Sequence, residues 1–235
     1  ISLKEQSDPY LVLGLVNSTP LDFYLKHVST VYSGHAYSYG DQFLRKLPIK
    51  LPGSREDKAR AQSISRLARE LTEVKTSLRG SEKKLRALPD SYLQMLHPVP
   101  DVYQIRQLAK DCITRANIRV AEAVVSPGAK ETALELGSAG CITFPYPEQA
   151  EITFHWLRQR DRQVVSSEEL QGVRLPSRRE DCAKLLGLIK DEQAKVKELE
   201  GLLAGKEKEL EELVMDYYCL SQTHRRTIRD FLARF

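Results

Sequence analysis

The sequence predicts an α+β protein that is predominantly helical, built on a long antiparallel coiled-coil hairpin with a small α/β module between its two helices and a partial recognition module at the N-terminus. Three observations carry this. Residues 53–89 and 177–220 each hold apolar residues at three-and-four spacing over several heptads. The stretch between them switches to short β-prone runs divided by Gly- and Pro-containing turns. The two helical segments also differ in charge, with ten Lys/Arg against five Asp/Glu in residues 55–89 and eight against eleven in residues 178–218. Opposite net signs suit helices that pair with one another.

Residues 1–52 form the first predicted domain. Asp8-Pro9 is a helix start, Asp as N-cap and Pro at the first helical position, and Thr19-Pro20 repeats the signal. Two short helices follow, 9–16 and 20–28, hinged at Asn17-Ser18. Residues 31–40 are glycine-punctuated and aromatic, which suits a loop with short strand pieces. Leu47-Pro48-Ile49-Lys50-Leu51-Pro52 is an extended exit, because two prolines forbid a helix there.

The first coiled-coil helix, 53–89, opens on a box-like Ser54–Asp57 pair. Its seam is Ile64, Leu67, Leu71, Val74, Leu78, Leu85 and Leu88, with Ser81 in one seam slot and Pro89 as its expected end. In the middle domain, 90–176, a helix face is predicted from Val102, Ile105, Leu108, Ala109 and Cys112. Strands are predicted over 118–125, 132–136 and 141–146, and an extended piece over 173–176. Residues 148–160 alternate like a strand at Ile152, Phe154 and Trp156, yet follow Pro147 and contain good helix formers, so a helix is predicted.

The second long helix, 177–220, opens on a Ser177–Glu180 box. Its seam runs through Leu185, Ile189, Val196, Leu199, Leu203, Leu210, Leu213 and Tyr217, interrupted by Glu192 and Lys206. A terminal helix, 221–235, shows Ile228, Phe231, Leu232 and Phe235 on one face. A lone leucine stripe in water forgoes about 1.5–3 kcal/mol per residue, so each rod needs a partner. Intramolecular antiparallel pairing is the economical arrangement. A parallel coil between two copies, hence a homodimer, is the rival that spacing leaves open.

Composition narrows function only slightly. A net charge of +4 does not by itself indicate nucleic acid. The four cysteines, 112, 141, 182 and 219, have no metal or close-pair spacing and read as reduced core residues. No run approaches eighteen apolar residues and no signal peptide is evident, so a cytoplasmic protein without membrane contact is expected. The opening lacks Met and begins in mid-pattern, as a piece of a longer protein would.

No catalytic constellation emerges. The chain has no Asn-Pro-Pro-aromatic motif to hold a flipped adenine, no Gly-rich turn after a strand for S-adenosylmethionine, no nuclease carboxylate pattern and no Walker loop. What remains is a binding pattern. Tyr32, His35, Tyr37 and Tyr39 intersperse with Lys26, Arg45, Lys46 and Lys50, combining planar contact faces with cations that neutralise phosphates.

Read together, three segments resemble a known family. Tyr10-Leu11-Val12-Leu13-Gly14-Leu15-Val16-Asn17-Ser18, with Leu21, Phe23-Tyr24-Leu25, Gly34 and Tyr37, leads to Phe43-Leu44-Arg45-Lys46-Leu47-Pro48-Ile49-Lys50-Leu51-Pro52. Much later comes Leu213-Val214-Met215-Asp216-Tyr217-Tyr218-Cys219-Leu220-Ser221. This order is similar to the closing part of a TaqI-type C-terminal specificity domain of restriction–modification DNA adenine N6 methyltransferases. The likeness covers residues 8–88 and 195–235 and leaves 90–176 poorly matched. Cys219 stands where that family has glycine.

The resemblance implies that an upstream methyltransferase domain, using S-adenosylmethionine, and the first half of the recognition module belong to the same parent chain, with a nuclease domain left open. It also implies double-stranded DNA as partner, with Tyr37, Tyr39, Arg45, Lys46 and Lys50 as contact residues. No cofactor is expected within these residues themselves. The long helices resemble the spacer helices of type I specificity subunits. Two other readings stand beside this one: a coiled-coil interaction module docking a partner subunit, and an enzyme with its site in residues 90–176.

Overall fold

A computed structural model of the chain describes residues 8–29, 37, 40–96, 102–108, 112–128, 131–160 and 163–234. In chain order, α1 (Pro9–Val16), α2 (Thr19–Val28) and the single turn α3 (Asp41–Leu44) precede the long α4 (Arg55–Met95). Then come β1 (Val102–Gln104), α5 (Ile105–Leu108), β2 (Asn117–Arg119), β3 (Ala123–Pro127), β4 (Thr132–Leu136) and β5 (Cys141–Phe144). They are followed by α6 (Pro147–Arg158), β6 (Val164–Ser166), α7 (Ser167–Gln171), β7 (Arg174–Pro176), the long α8 (Arg179–Tyr217) and α9 (Gln222–Leu232). The fold is α+β and predominantly helical. Among the described residues, no helix is long and apolar enough to cross a membrane.

The chain divides into two compact units, residues 1–78 with 198–235 and residues 79–197. In the first, the early part of α4 and the late part of α8 run antiparallel. Arg60 reaches the Asp216 carbonyl, whereas ten residues on Glu70 pairs with Lys206, and Lys75 with Glu207 at 2.8 Å. The core of this unit collects Leu11, Leu15, Leu21, Ile64, Leu67, Leu71, Leu210, Val214 and Tyr217. Thus α1 and α2 cover the seam that the two long helices present.

The helix starts follow local chemistry. The Asp8 carboxylate accepts from the Tyr10 and Leu11 amides and also from the Ser65 hydroxyl at 2.6 Å, so the cap of α1 is tied to α4. At the Asn17-Ser18 hinge, the Asn17 side-chain amide donates to the Leu13 carbonyl and the Ser18 hydroxyl to the Leu15 carbonyl, satisfying the end of α1. Gly14 permits the close approach of α1 to α4, since a Cβ there would lie 2.9 Å from an Ile64 methyl. Ser54 and Asp57 exchange side-chain-to-backbone bonds at 3.0 and 3.4 Å, a true capping box with Asp in place of Glu.

In the second unit, β3-β4-β5 form an antiparallel meander, β1 pairs with β7, and β2 pairs with β6. Leu134, Ile142, Phe144, Ile152, Leu157, Leu175, Leu185 and Ile189 lie in one continuous core. The helical alternative for residues 148–160 is the observed one: α6 buries Gln149, Ala150, Ile152, Thr153 and Leu157, a three-and-four pattern. Gln149, fully buried, donates to the Pro176 carbonyl, and the Cys182 thiol points at the same carbonyl, fixing the end of β7 to the start of α8.

Four expectations need correction. Pro89 does not end the first long helix, which continues to Met95. Continuing buries Tyr92 and Leu93, each worth about 1.5–3 kcal/mol, against about 3 kcal/mol for an internal proline. The helix predicted across 102–112 is instead β1 plus one turn, α5, because Val102–Gln104 pairs with Arg174–Pro176; Ala109 lies outside the described residues. The strand predicted over 118–125 is split by a 3₁₀ turn at Val120–Glu122 into β2 and β3, which belong to different sheets. The cysteines are not uniformly core either, since only Cys182 is buried while Cys141 and Cys219 are exposed. Burial pushes the Cys182 thiol up to about 12.

Both polar interruptions of the α8 seam find partners on α4. Lys206 meets Glu70 at 2.5 Å. Glu192 accepts from Lys84 at 2.6 Å, and Ser81, the odd residue of the α4 seam, is itself buried and hydrogen-bonds the same carboxylate. Two mismatched slots therefore form one polar layer, an arrangement that specifies register between paired helices.

Candidate nucleic-acid interface

The residues singled out as a binding cluster do not share one environment. Arg45 and Lys46 are exposed at the end of α3, where the buried Phe43 ring anchors the turn that carries them. Arg45 forms a 2.6 Å ion pair with Asp41, with both side chains largely in water. Such a pair adds little stability and opens readily toward a competing anion. Tyr37 is half-buried and forms an isolated β-bridge. Tyr39, like Tyr32 and His35, lies outside the described residues. Lys26 pairs with Asp22 on α2 at 3.0 Å.

Lys50 is turned inward. Its ammonium donates to Asp57 at 2.7 Å and to the Tyr217 carbonyl at 2.8 Å, and lies 4.7 Å from the centre of the Tyr217 ring. The Lys50 amide in turn meets the Tyr218 hydroxyl. The hydrogen bond from Lys50 holds the Asp57 carboxyl below the usual range, and the same bond raises the Lys50 ammonium above its own. Lys50 therefore braces the extended exit against the end of α8.

Two tyrosines complete this clasp. The Tyr217 hydroxyl donates to the Lys50 carbonyl at 3.0 Å and the Tyr218 hydroxyl to the Pro48 carbonyl at 2.8 Å. An extended segment with two prolines has backbone acceptors and no ladder partner, and the phenols supply the missing donors. Beyond them α8 ends in a Schellman motif: the Leu220 amide bonds to the Met215 carbonyl and the Cys219 amide to the Asp216 carbonyl. Cys219 sits at φ 53°, in the left-handed region. That geometry is the physical reason a glycine suits this position.

The chain then reverses into α9, capped by Ser221. Phe231 packs edge-on to Phe23 of α2, with centroids 5.1 Å apart, and stacks near His27. Arg225 and Arg229 bind Glu212, and Arg225 also binds Asp216, so these cations are occupied by α8 carboxylates. Arg45 and Lys46 are cationic groups that face water next to the clasped exit. Among the described residues, no group of three or more His, Cys, Asp or Glu is placed to hold a metal.

Residue spacing alone does not mark Tyr217, Tyr218 and Asp57 as the clasp. The available signal was the adjacency of two tyrosines at a helix end, together with an extended segment short of donors. Comparison with protein families, with curated proteins and with solved structures returns no match for the chain.

Proposed function

We propose that residues 8–52, with the facing parts of α4 and α8 and with α9, form the closing part of a DNA target-recognition module belonging to a restriction–modification DNA adenine methyltransferase. In this reading the chain contributes duplex binding and assembly, and the methyl transfer belongs to an upstream domain that binds S-adenosylmethionine. One observation carries it. The three segments on which the resemblance rests, the α1 helix with its Asn17-Ser18 hinge, the Pro48–Lys50 exit and the Tyr217–Ser221 helix end, converge on one core although Leu11 and Tyr217 come from opposite ends of the chain.

On this reading Arg45 and Lys46 contact the phosphate backbone, and Tyr37 is a further contact residue. Phosphate contacts release counterions, so they register in the salt dependence of affinity. The test is a filter-binding titration on duplex DNA over a range of salt concentrations, comparing the chain with Arg45→Glu/Lys46→Glu. The double variant should bind more weakly and lose about 0.9 from the log–log salt slope for each contact removed. An unchanged slope and affinity would exclude these residues as the interface. Lys50 is unsuited to this test, because replacing it loosens the clasp.

A further inference from the structure

We propose that the second unit carries a nucleotide-binding cleft, separate from the duplex interface above. The cleft has a volume of 320 Å³ and lies between the late part of α4, the end of α6 and β6, lined by Arg86, Asp90, Trp156, Gln159, Arg160 and Val165. That volume is at the lower end of small-molecule sites.

Its chemistry is specific. The Arg160 guanidinium lies 4.1 Å from the centre of the Trp156 ring, a planar cation on an aromatic face. Trp156 is half-buried and Arg160 is exposed, so the stack is open to a further planar group. Nucleobases stack on both aromatic rings and guanidinium planes. At the end of the same helix, Gln159 has a side-chain NH₂ that is shielded from solvent and meets no hydrogen-bond acceptor among the described residues. A buried donor without an acceptor costs about 1–3 kcal/mol, and a ligand oxygen or ring nitrogen would recover it.

The remaining polar groups set the ligand class. Arg86 and Arg160 provide positive charge for a phosphate. The Asp90 carboxylate, on the helix turn after Arg86, accepts hydrogen bonds only and so matches an exocyclic amino group. Glu169 also borders the cleft, with one oxygen accepting from the Ser166 amide in the α7 capping box, which fixes its position. Stacking surface, buried donor, cations and carboxylate acceptors together fit an amino-bearing nucleotide such as an adenine nucleotide, free or within a single strand.

The chain contains one tryptophan, so fluorescence excited selectively in tryptophan, and not in the ten tyrosines, reports this cleft alone. AMP should change Trp156 fluorescence saturably. UMP, which lacks the amino group, and inorganic phosphate should act at least about tenfold more weakly. Arg160→Ala, at an exposed position, and Gln159→Leu should each raise the AMP dissociation constant about tenfold, with circular dichroism confirming that both variants fold. Tighter binding of hexadeoxyadenylate than of AMP would assign the ligand to a strand, and the reverse to a free nucleotide. The absence of a saturable change with either probe up to about 10 mM, or equal responses to phosphate and AMP, would overturn the proposal. Either result leaves the Arg45 and Lys46 test untouched.

Discussion

The Tyr218 hydroxyl donates to the Pro48 carbonyl at 2.8 Å, bridging 170 residues of sequence. Its neighbour Tyr217 does the same for Lys50, and Lys50 answers through its ammonium to the Tyr217 carbonyl. These bonds hold an extended, proline-bearing segment that has no sheet to join. The contact turns a helix end and a strap into one rigid corner from which Arg45 and Lys46 project.

If the clasp works this way, Tyr217→Phe should destabilise the first unit by about 1 kcal/mol, and Tyr218→Phe by less. The difference arises because the Tyr217 side chain is fully buried, so the Lys50 carbonyl has little access to replacement water. Urea unfolding measures both, as a lower midpoint at constant slope. Amide exchange of Ile49 and Lys50 should accelerate in step. Wild-type stability in Tyr217→Phe would mean that ring packing alone secures the strap.

Cys219 supplies a prediction of opposite sign. At φ 53° an L residue with a Cβ is strained by roughly 1 kcal/mol, and glycine is not. Cys219→Gly should therefore stabilise the chain by about that amount, less the larger entropy of glycine when unfolded. Cys219→Val should destabilise it, since a β-branched residue tolerates the left-handed region least. The side chain is exposed, so neither change disturbs packing. A Cys219→Gly variant with a lower unfolding midpoint would contradict the strain argument.

How much of this was legible in the sequence depended on where each residue's partner lies. The seams of α4 and α8 were, because Ile64, Leu67, Leu71 and Leu185, Ile189 repeat within one helix and the periodicity is local. So were α1 and α2, whose Asp-Pro and Thr-Pro starts are read within a few residues. The role of Lys50 was not, since its partners Asp57 and Tyr217 come from two different elements and one of them is 167 residues away. The same holds for β1, which is a strand only because β7 is there to pair with it. The α7 turn was missed although its signal, Ser166 followed three residues later by Glu169, stood in the sequence and forms a full capping box. The cleft around Trp156 combines side chains from α4, α6, β6 and α7, and no spacing rule unites them.

The Ser81–Glu192–Lys84 layer should respond asymmetrically to substitution. Glu192 is almost wholly buried, whereas Lys84 is mostly in water. Lys84→Ala strips the buried carboxylate of its counter-charge and should cost about 1–2 kcal/mol, a figure discounted for the exposure of the lysine. Glu192→Leu removes the buried charge, leaves Lys84 free to hydrate, and should be neutral or stabilising, at the expense of register specificity. Paired urea titrations decide it: if Glu192→Leu destabilises more than Lys84→Ala, the carboxylate contributes to folding in its own right.

Acid should weaken both units below about pH 4, and the second unit already at higher pH. Asp8, Asp57, Glu70 and Glu192 are each held below the usual carboxylate range, first by hydrogen bonds from Ser65, Lys50, Lys206 and Lys84 respectively. For such groups the unfolded chain takes up protons first, so their contribution is complete above about pH 4 and is lost as pH falls further toward the folded values. His155 behaves differently: burial is the main cause lowering its pKa, so the folded state prefers the neutral ring. The unfolded chain then binds the extra proton just below about pH 6.5, and stability drains as pH falls through that window. His155 lies in the second unit with Trp156, so urea midpoints followed by tryptophan fluorescence should fall between pH 7 and 5. His155→Gln should flatten that portion while leaving the loss below about pH 4 intact. A level midpoint from pH 7 to 5 in the unmodified chain would show that His155 takes up its proton without penalty in the folded state.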